Sequence, residues 1–141
     1  MPTAPDQLLR TLSEDGSVSV RALVGTQLVR EATQRHATSP VATAALGRAL
    51  LGAVLLASQG KDGETLELRF RARGPLGHIV AMADCLGRAR GYVANPGLDL
   101  PLRGERLDVA RAVGLGELSV VRFRPGWKEP YTGIVPIVAG E

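Results

Sequence analysis

The feature that most constrains this chain is the run from Val41 to Ala57, the most apolar stretch of the sequence, whose one charge is Arg48. Ser39-Pro40 stands directly before it, a residue that caps a helix amino terminus followed by one that tolerates the first helical turn. Leu46, Leu50, Leu51, Val54 and Leu55 recur at helical spacing. Ala42, Ala44, Ala45, Gly47, Ala49, Gly52 and Ala53 keep the remaining faces small. A helix that is apolar almost all round must be covered on several sides, so it predicts a central helix. The run is at the short limit for a membrane span, and a central arginine costs about 2.5–3.5 kcal/mol there. It therefore reads as a buried helix, and no membrane partner is expected.

A central helix needs a wall to pack on, and the sequence offers strands. Leu66, Leu68, Phe70 and Ala72 alternate with Glu67, Arg69, Arg71 and Arg73, the period-two pattern of a half-buried strand. Gly74-Pro75-Leu76-Gly77 turns the chain into Ile79 to Ala83, and Asp84-Cys85-Leu86-Gly87 turns it again into Arg88 to Ala94. Short connections of this kind predict an antiparallel meander. Asn95-Pro96-Gly97 ends it, and residues 98 to 116 carry no clear period. Glu117 to Arg124 and Tyr131 to Val138 read as two further strands, with Pro136 placing the last at an edge or bulge.

Ahead of the central helix, Pro5 with Leu8, Leu9 and Leu12 predicts a short amphipathic helix that stops at Ser13-Glu14-Asp15-Gly16. Val18, Val20, Ala22 and Val24 alternate with Ser17, Ser19, Arg21 and Leu23, predicting a strand with the valines on its buried side. Gly25 breaks it. Thr26 is placed to cap a helix striped by Leu28, Val29 and Ala32. The fold class is α+β, mainly an antiparallel sheet packed against a central apolar helix. At 141 residues the chain suits one domain, and with aromatics at 4% its core is aliphatic.

Few residues offer chemistry. His36 and His78 are the only histidines, in different elements and without metal-ligand spacing. Cys85 is the only cysteine, so it makes neither an internal disulfide nor a thiolate zinc site alone. A reactive thiol wants a helix amino terminus or an imidazolium, and a hairpin turn beside Asp84 supplies neither. The glycine pairs at Gly74-Pro75-Leu76-Gly77 and Gly114-Leu115-Gly116 lack the Lys-Ser/Thr that a phosphate loop needs. No catalytic, cofactor-binding or metal-binding residue is expected, and the chain does not read as an enzyme. Basic side chains exceed acidic ones by 17 to 14, and only Lys61 and Lys128 are lysines. Arg69, Arg71, Arg73, Arg88, Arg90, Arg122 and Arg124 come with a single stacking candidate, Tyr92. A solvated face or a charge network is expected there, not a nucleic-acid surface. The opening Met1-Pro2-Thr3-Ala4-Pro5-Asp6 has no leader pattern, and an intracellular, cytoplasmic setting is expected.

Five short motifs in sequence order resemble the 33 kDa chaperonin family. They are Asp6-Gln7-Leu8-Leu9-Arg10, then Ser39-Pro40 with Ala45-Leu46-Gly47-Arg48, Gly74-Pro75-Leu76-Gly77, Arg90-Gly91-Tyr92-Val93 with Asn95-Pro96, and Tyr131-Thr132-Gly133-Ile134-Val135-Pro136. The resemblance implies the amino-terminal part, residues 1–141, of a substrate-binding domain in an ATP-independent, cytoplasmic holdase. Such a protein binds unfolding clients under oxidative and heat stress and is often dimeric. It also implies a zinc module with Cys-x-Cys and Cys-x-x-Cys pairs, of which Cys85 matches none. Zinc, a disulfide switch and redox activation are therefore not expected of this chain, which reads as a fragment, a truncated gene product or a chain whose fold another chain completes, with a homodimer or a completing chain as the expected partner. A sheet cut at Glu141 is expected to leave an open edge and uncovered apolar surface. Holding a client at micromolar affinity takes about 8 kcal/mol, or roughly 320 Å² of apolar contact before ordering costs. An inert structural or dimerisation fragment and a basic nucleic-acid-binding protein are the alternative readings.

Overall fold

Aliphatic alternation, glycine turns and one long apolar run resolve into seven strands and three helices among the described residues. The computed structural model describes residues 4–138. The leader reading at Met1 to Thr3 and the end at Glu141 lie outside the described residues. In chain order the elements are β1 (Gln7–Leu12), β2 (Ser19–Val24), α1 (Thr26–His36), α2 (Pro40–Ala57), β3 (Thr65–Ala72), β4 (Ile79–Asp84), β5 (Ala89–Val93), α3 (Val109–Val113), β6 (Gly116–Phe123) and β7 (Tyr131–Ile137).

Helix α2 forms as its sequence demands. Ser39 Oγ accepts from the Ala42 N–H at 3.3 Å, and Pro40 fills the first turn. The same serine donates its hydroxyl to the Leu98 carbonyl, and its backbone N–H reaches the Pro96 carbonyl at 2.7 Å. One residue thus caps the helix and ties it to the loop after β5. Ten of the eighteen residues of α2 are buried. By length and composition the helix could cross a membrane, but here it forms the centre of the core. Arg48 is exposed, on the open side of the helix.

The five-stranded sheet has the order β5-β4-β3-β6-β7 and is antiparallel throughout. Leu68 lies opposite Ala81 on β4 and Val120 on β6, which sets one face toward α2. Leu66, Leu68, Ile79, Ala81, Ala83 and Val93 on that face are buried with Leu46 and Leu50 of the helix. Each such leucine or isoleucine contributes about 1.5–3 kcal/mol on leaving water. Gly47 lets α1 approach, since a Cβ there would sit 3.0 Å from Val29 Cγ1. Residues 98 to 116, which had no readable period, hold the short α3, capped by Asp108, whose carboxylate accepts from the Arg111 N–H at 3.2 Å. Gly74 donates its N–H to the Val113 carbonyl at 2.9 Å, and a Cβ on Gly74 would lie 2.3 Å from the Ala112 carbonyl oxygen. The glycines around positions 74 and 114 therefore serve a backbone crossing that ties α3 to the end of β3.

Three expectations are corrected. The stretch from Pro5 to Leu12 contains strand β1, not a helix: Leu8 pairs with Leu23, Arg10 with Arg21 and Thr11 with Val20 in an antiparallel hairpin. The turn decides it. Asp15 accepts from the Ser13 hydroxyl at 2.6 Å, the Ser17 hydroxyl at 2.8 Å and the Ser17 N–H at 3.1 Å, and Gly16 takes φ 75°. Those bonds, the Ser13 hydroxyl first, lower the Asp15 carboxyl to about 2. Strand β2 was expected to bury its valines, yet Val18, Val20 and Val24 are more than half exposed while Leu23 packs toward the core. Thr26 does not cap α1. Gly25 occupies the cap position, and the distant Asp6 carboxylate accepts from Gln27 N–H and Leu28 N–H, 21 and 22 residues downstream of it, at 2.8 Å each. A carboxylate suits that end because the first N–H groups of a helix lack intrahelical partners.

Candidate functional site

The residues singled out for chemistry are dispersed. His36 ends α1 and His78 precedes β4, where its exposed imidazole meets Tyr92 edge-on at 5.6 Å between ring centres. Cys85 sits partly exposed in the β4–β5 turn as a free thiol. Its neighbour Asp84 accepts from Leu86 N–H at 3.0 Å, Arg88 N–H at 3.1 Å and Arg88 Nε at 2.6 Å. Partial burial pushes the Asp84 carboxyl up, but Arg88 and the two backbone donors outweigh it and leave it below its ordinary value. That carboxylate closes a turn and is not poised as a base. Among the described residues no three of His, Cys, Asp or Glu gather where a metal ion would sit. With one thiol and no such cluster, these residues do not fit the four-cysteine zinc centre that the resemblance implies.

Four of the seven arginines are held by carboxylates of three different residues. Register places Arg69 and Arg71 on the sheet face away from α2, and Arg122, opposite Leu66, on the other face. Arg69 pairs with Glu67 at 2.7 Å and Arg88 with Asp84 at 2.6 Å. Arg124 and Arg122 both reach Glu64, whose side chain is buried at the start of β3. The hydrogen bond from Arg124, ahead of every other influence, holds the Glu64 carboxyl below its usual range. Arg124 also stacks over Trp127 at 4.9 Å, so acid, guanidinium and indole fix the β6–β7 turn to β3. Tyr92, the one stacking candidate, is engaged by His78. This is a charge network serving the fold.

What the surface does offer is apolar. Leu8, Leu9, Leu12, Val18, Val20 and Val24 are exposed on the β1–β2 hairpin, Leu9 at 62%. A second group, Phe123, Tyr131, Ile134, Val135 and Val138, follows the β6–β7 hairpin, with Val138 at 81%. Strand β7 is an edge of the five-stranded sheet, and Pro136 lies in it opposite Glu117, as its position in the sequence predicts. Isolated exposed aliphatics are ordinary, but grouped ones mark contact surfaces. Sequence reading missed the first group because it assigned the valines of β2 to the core.

The pattern of the Hsp33 protein family matches residues 6–141. The 33 kDa chaperonin of Synechococcus sp. (strain JA-2-3B'a(2-13)) is 46% identical over 140 residues, covering 97% of this chain and 44% of that protein. That of Shouchella clausii (strain KSM-K16) is 45% identical over 138 residues, covering 96% and 46%. The crystal structure of the 33 kDa chaperonin from Thermotoga maritima superposes with a TM-score of 0.87 at 39% identity, covering 93% of this chain and 45% of that one. The chain spans less than half the length of these relatives. The expected α+β fold and the expected family meet in one result, and the chain belongs to the Hsp33 family.

Proposed function

We propose that this chain is the amino-terminal part of a client-binding domain in an ATP-independent holdase, and that it captures unfolding proteins by apolar burial. The observation that carries the reading is the hairpin β1–β2, which holds six large aliphatic side chains in water on a two-stranded sheet. Such a surface suits partners without fixed shape, because aliphatic contact needs no precise geometry. The family names of its relatives support the same reading. We place the activity in the cytoplasm, under heat and oxidative stress, with the chain working as a homodimer or beside a completing segment that shares its open edges. In this reading the chain's own residues bind no metal or nucleotide and catalyse nothing.

Light scattering from a thermally unfolding client tests it. Aggregation should fall at a several-fold molar excess of this chain, without nucleotide. Undiminished scattering at that excess would count against holding. An arginine-rich protein also invites a nucleic-acid reading, but the pairing of Arg69, Arg88, Arg122 and Arg124 with carboxylates disfavours it. A titration with single-stranded RNA should show no steep salt slope.

A further inference from the structure

Strands β1 and β2 run in unbroken register from Gln7 opposite Val24 to Leu12 opposite Ser19, with no proline, glycine or bulge in either. The pair forms its own two-stranded sheet, so β1 has a second edge that no described strand meets. The turn fixes the phase of the ladder. Ser13 N–H donates to the Val18 carbonyl at 2.8 Å, and hydrogen-bonded and non-hydrogen-bonded pairs alternate from there. Leu9 and Thr11 therefore turn their backbone groups to β2, while Leu8, Arg10 and Leu12 point theirs out of the far edge of β1. All six residues of β1 are exposed. Strand β2 is the less accessible of the two, with Arg21 and Leu23 partly buried and α2 beside it. Arg10 lies directly opposite Arg21, in a non-hydrogen-bonded pair, the kind whose side chains come closest. Like charges so placed destabilise a hairpin. Among the described residues neither guanidinium has a hydrogen bond or an ion pair.

We propose that the far edge of β1 takes an extended client segment as a third, antiparallel strand, with an Asp or Glu of that segment opposite Arg10. The inference rests on the holdase reading and names how the client is held and which sequence it prefers. An open edge offers every peptide the same row of N–H and C=O groups, so main-chain bonds give affinity without a fixed client sequence. Side chains then select. The client residue opposite Arg10 shares a face with Arg10 and Arg21, where a carboxylate relieves the repulsion between the two guanidiniums. Client residues two places to either side lie opposite Leu8 and Leu12 on that same face, and aliphatic side chains suit them. The preferred pattern is aliphatic-x-acid-x-aliphatic. Charge also decides against a second copy as the occupant, because β1 laid centrally and antiparallel on its own edge sets Arg10 against Arg10. At the β7 edge Pro136 interrupts the row of donors, whereas in β1 the row is whole.

The test is a labelled short peptide with Glu at its centre and Val two places to either side, titrated with the full chain and followed by fluorescence anisotropy. In the antiparallel register the Glu and the two Val residues bond to β1, and the residues between them point away. N-methylation at Glu removes a donor aimed at β1 and should weaken binding about ten-fold, while N-methylation at the next residue should change it less than about three-fold. Glu should be preferred over Lys at the centre about five-fold, and less so at high salt. The Arg10→Gln, Arg21→Gln double variant should lose that preference. Should the variant unfold, the comparison of N-methylated peptides on the parent chain still decides. Amide exchange gives a second readout: the peptide should slow exchange at Leu8, Arg10 and Leu12 and leave Leu9 and Thr11, already bonded to β2, unchanged. Equal binding of the two N-methylated peptides overturns the proposal, since apolar contact alone then holds the segment. So does a preference for Glu that the folded double variant keeps. Protection of Leu8 and Arg10 that grows with protein concentration and needs no peptide overturns it as well, because a second copy then occupies the edge. Any of these results with aggregation still suppressed leaves the holdase standing. No suppression with any client sinks the holdase reading, and the client assignment with it.

Discussion

Leu46 and Leu50 of α2 are exposed to 1% and 0%, whereas Leu9 and Leu12 of the β1–β2 hairpin are exposed to 62% and 58%. The side chains are the same, and what differs is the company they keep. Alanine and glycine surround the leucines of α2, so α1, α3 and the sheet come within contact on several sides. The hairpin has only a two-stranded sheet, and Leu9, Val20 and Val24 on its outer face are more than half exposed. A row of aliphatic residues fixes which face is oily; the size of the neighbouring residues decides whether that face can be closed. The helix spends its apolar surface on the chain's own stability, and the hairpin leaves its surface in water.

Substitutions can sharpen or break that contrast, and Leu50→Ala should do most. It empties a site with no accessible surface and should cost about 2–5 kcal/mol in a urea titration followed by circular dichroism. A loss under about 1 kcal/mol would mean that the core is not as closed as described. Ser39→Ala removes the cap of α2 and its tie to Leu98, and should cost about 1 kcal/mol in the same titration. In the hairpin, the pair Leu9→Ser and Val20→Thr should change stability by less than about 0.5 kcal/mol, because both residues already stand in water. The same pair should reduce the holding of a thermally unfolding client, read by light scattering. If stability falls instead and holding does not, the division of labour is reversed.

The smallest effect is confined to the hairpin turn and appears only in acid. The folded Asp15 carboxyl titrates at about 2, below its ordinary value of 3.8. A depressed carboxyl stabilises the fold above its unfolded value and loses that contribution as pH falls through the folded one. Backbone amide exchange at Ser17 and Val18 should therefore accelerate between pH 4 and pH 2, relative to amides in α2. Unchanged relative exchange would mean that the Asp15 bonds do not hold the turn.

Much of the molecule was legible because its signals are local. Ser39-Pro40 and the aliphatic spacing define α2, and the glycine turns at 74–77 and 84–87 define the meander. What escaped depended on distant partners. The helix read at Leu8, Leu9 and Leu12 gave way to a strand because Val18 to Val24 supplied a pairing partner across the Asp15 turn. The cap of α1 came from Asp6, and α3 was hidden because its register is set by backbone contact with Gly74. The candidate surfaces were legible in kind but not in place. Composition announced an aliphatic molecule, yet only the fold shows that its apolar surface stays open at the hairpin and along the β7 edge.

Pro136 in β7 has a consequence for how such a molecule stays soluble while exposing so much oil. A proline is accommodated in an outermost strand where its nitrogen points away from the neighbour, and there it withholds a donor from anything that docks alongside. A visiting strand would lose a rung of its ladder opposite that ring and would be pushed off line. Sticky guests can lie against the flank of this sheet, but a growing fibre finds its template broken. Along that edge, the proline makes the exposed aliphatic flank a poor template for strand-by-strand aggregation.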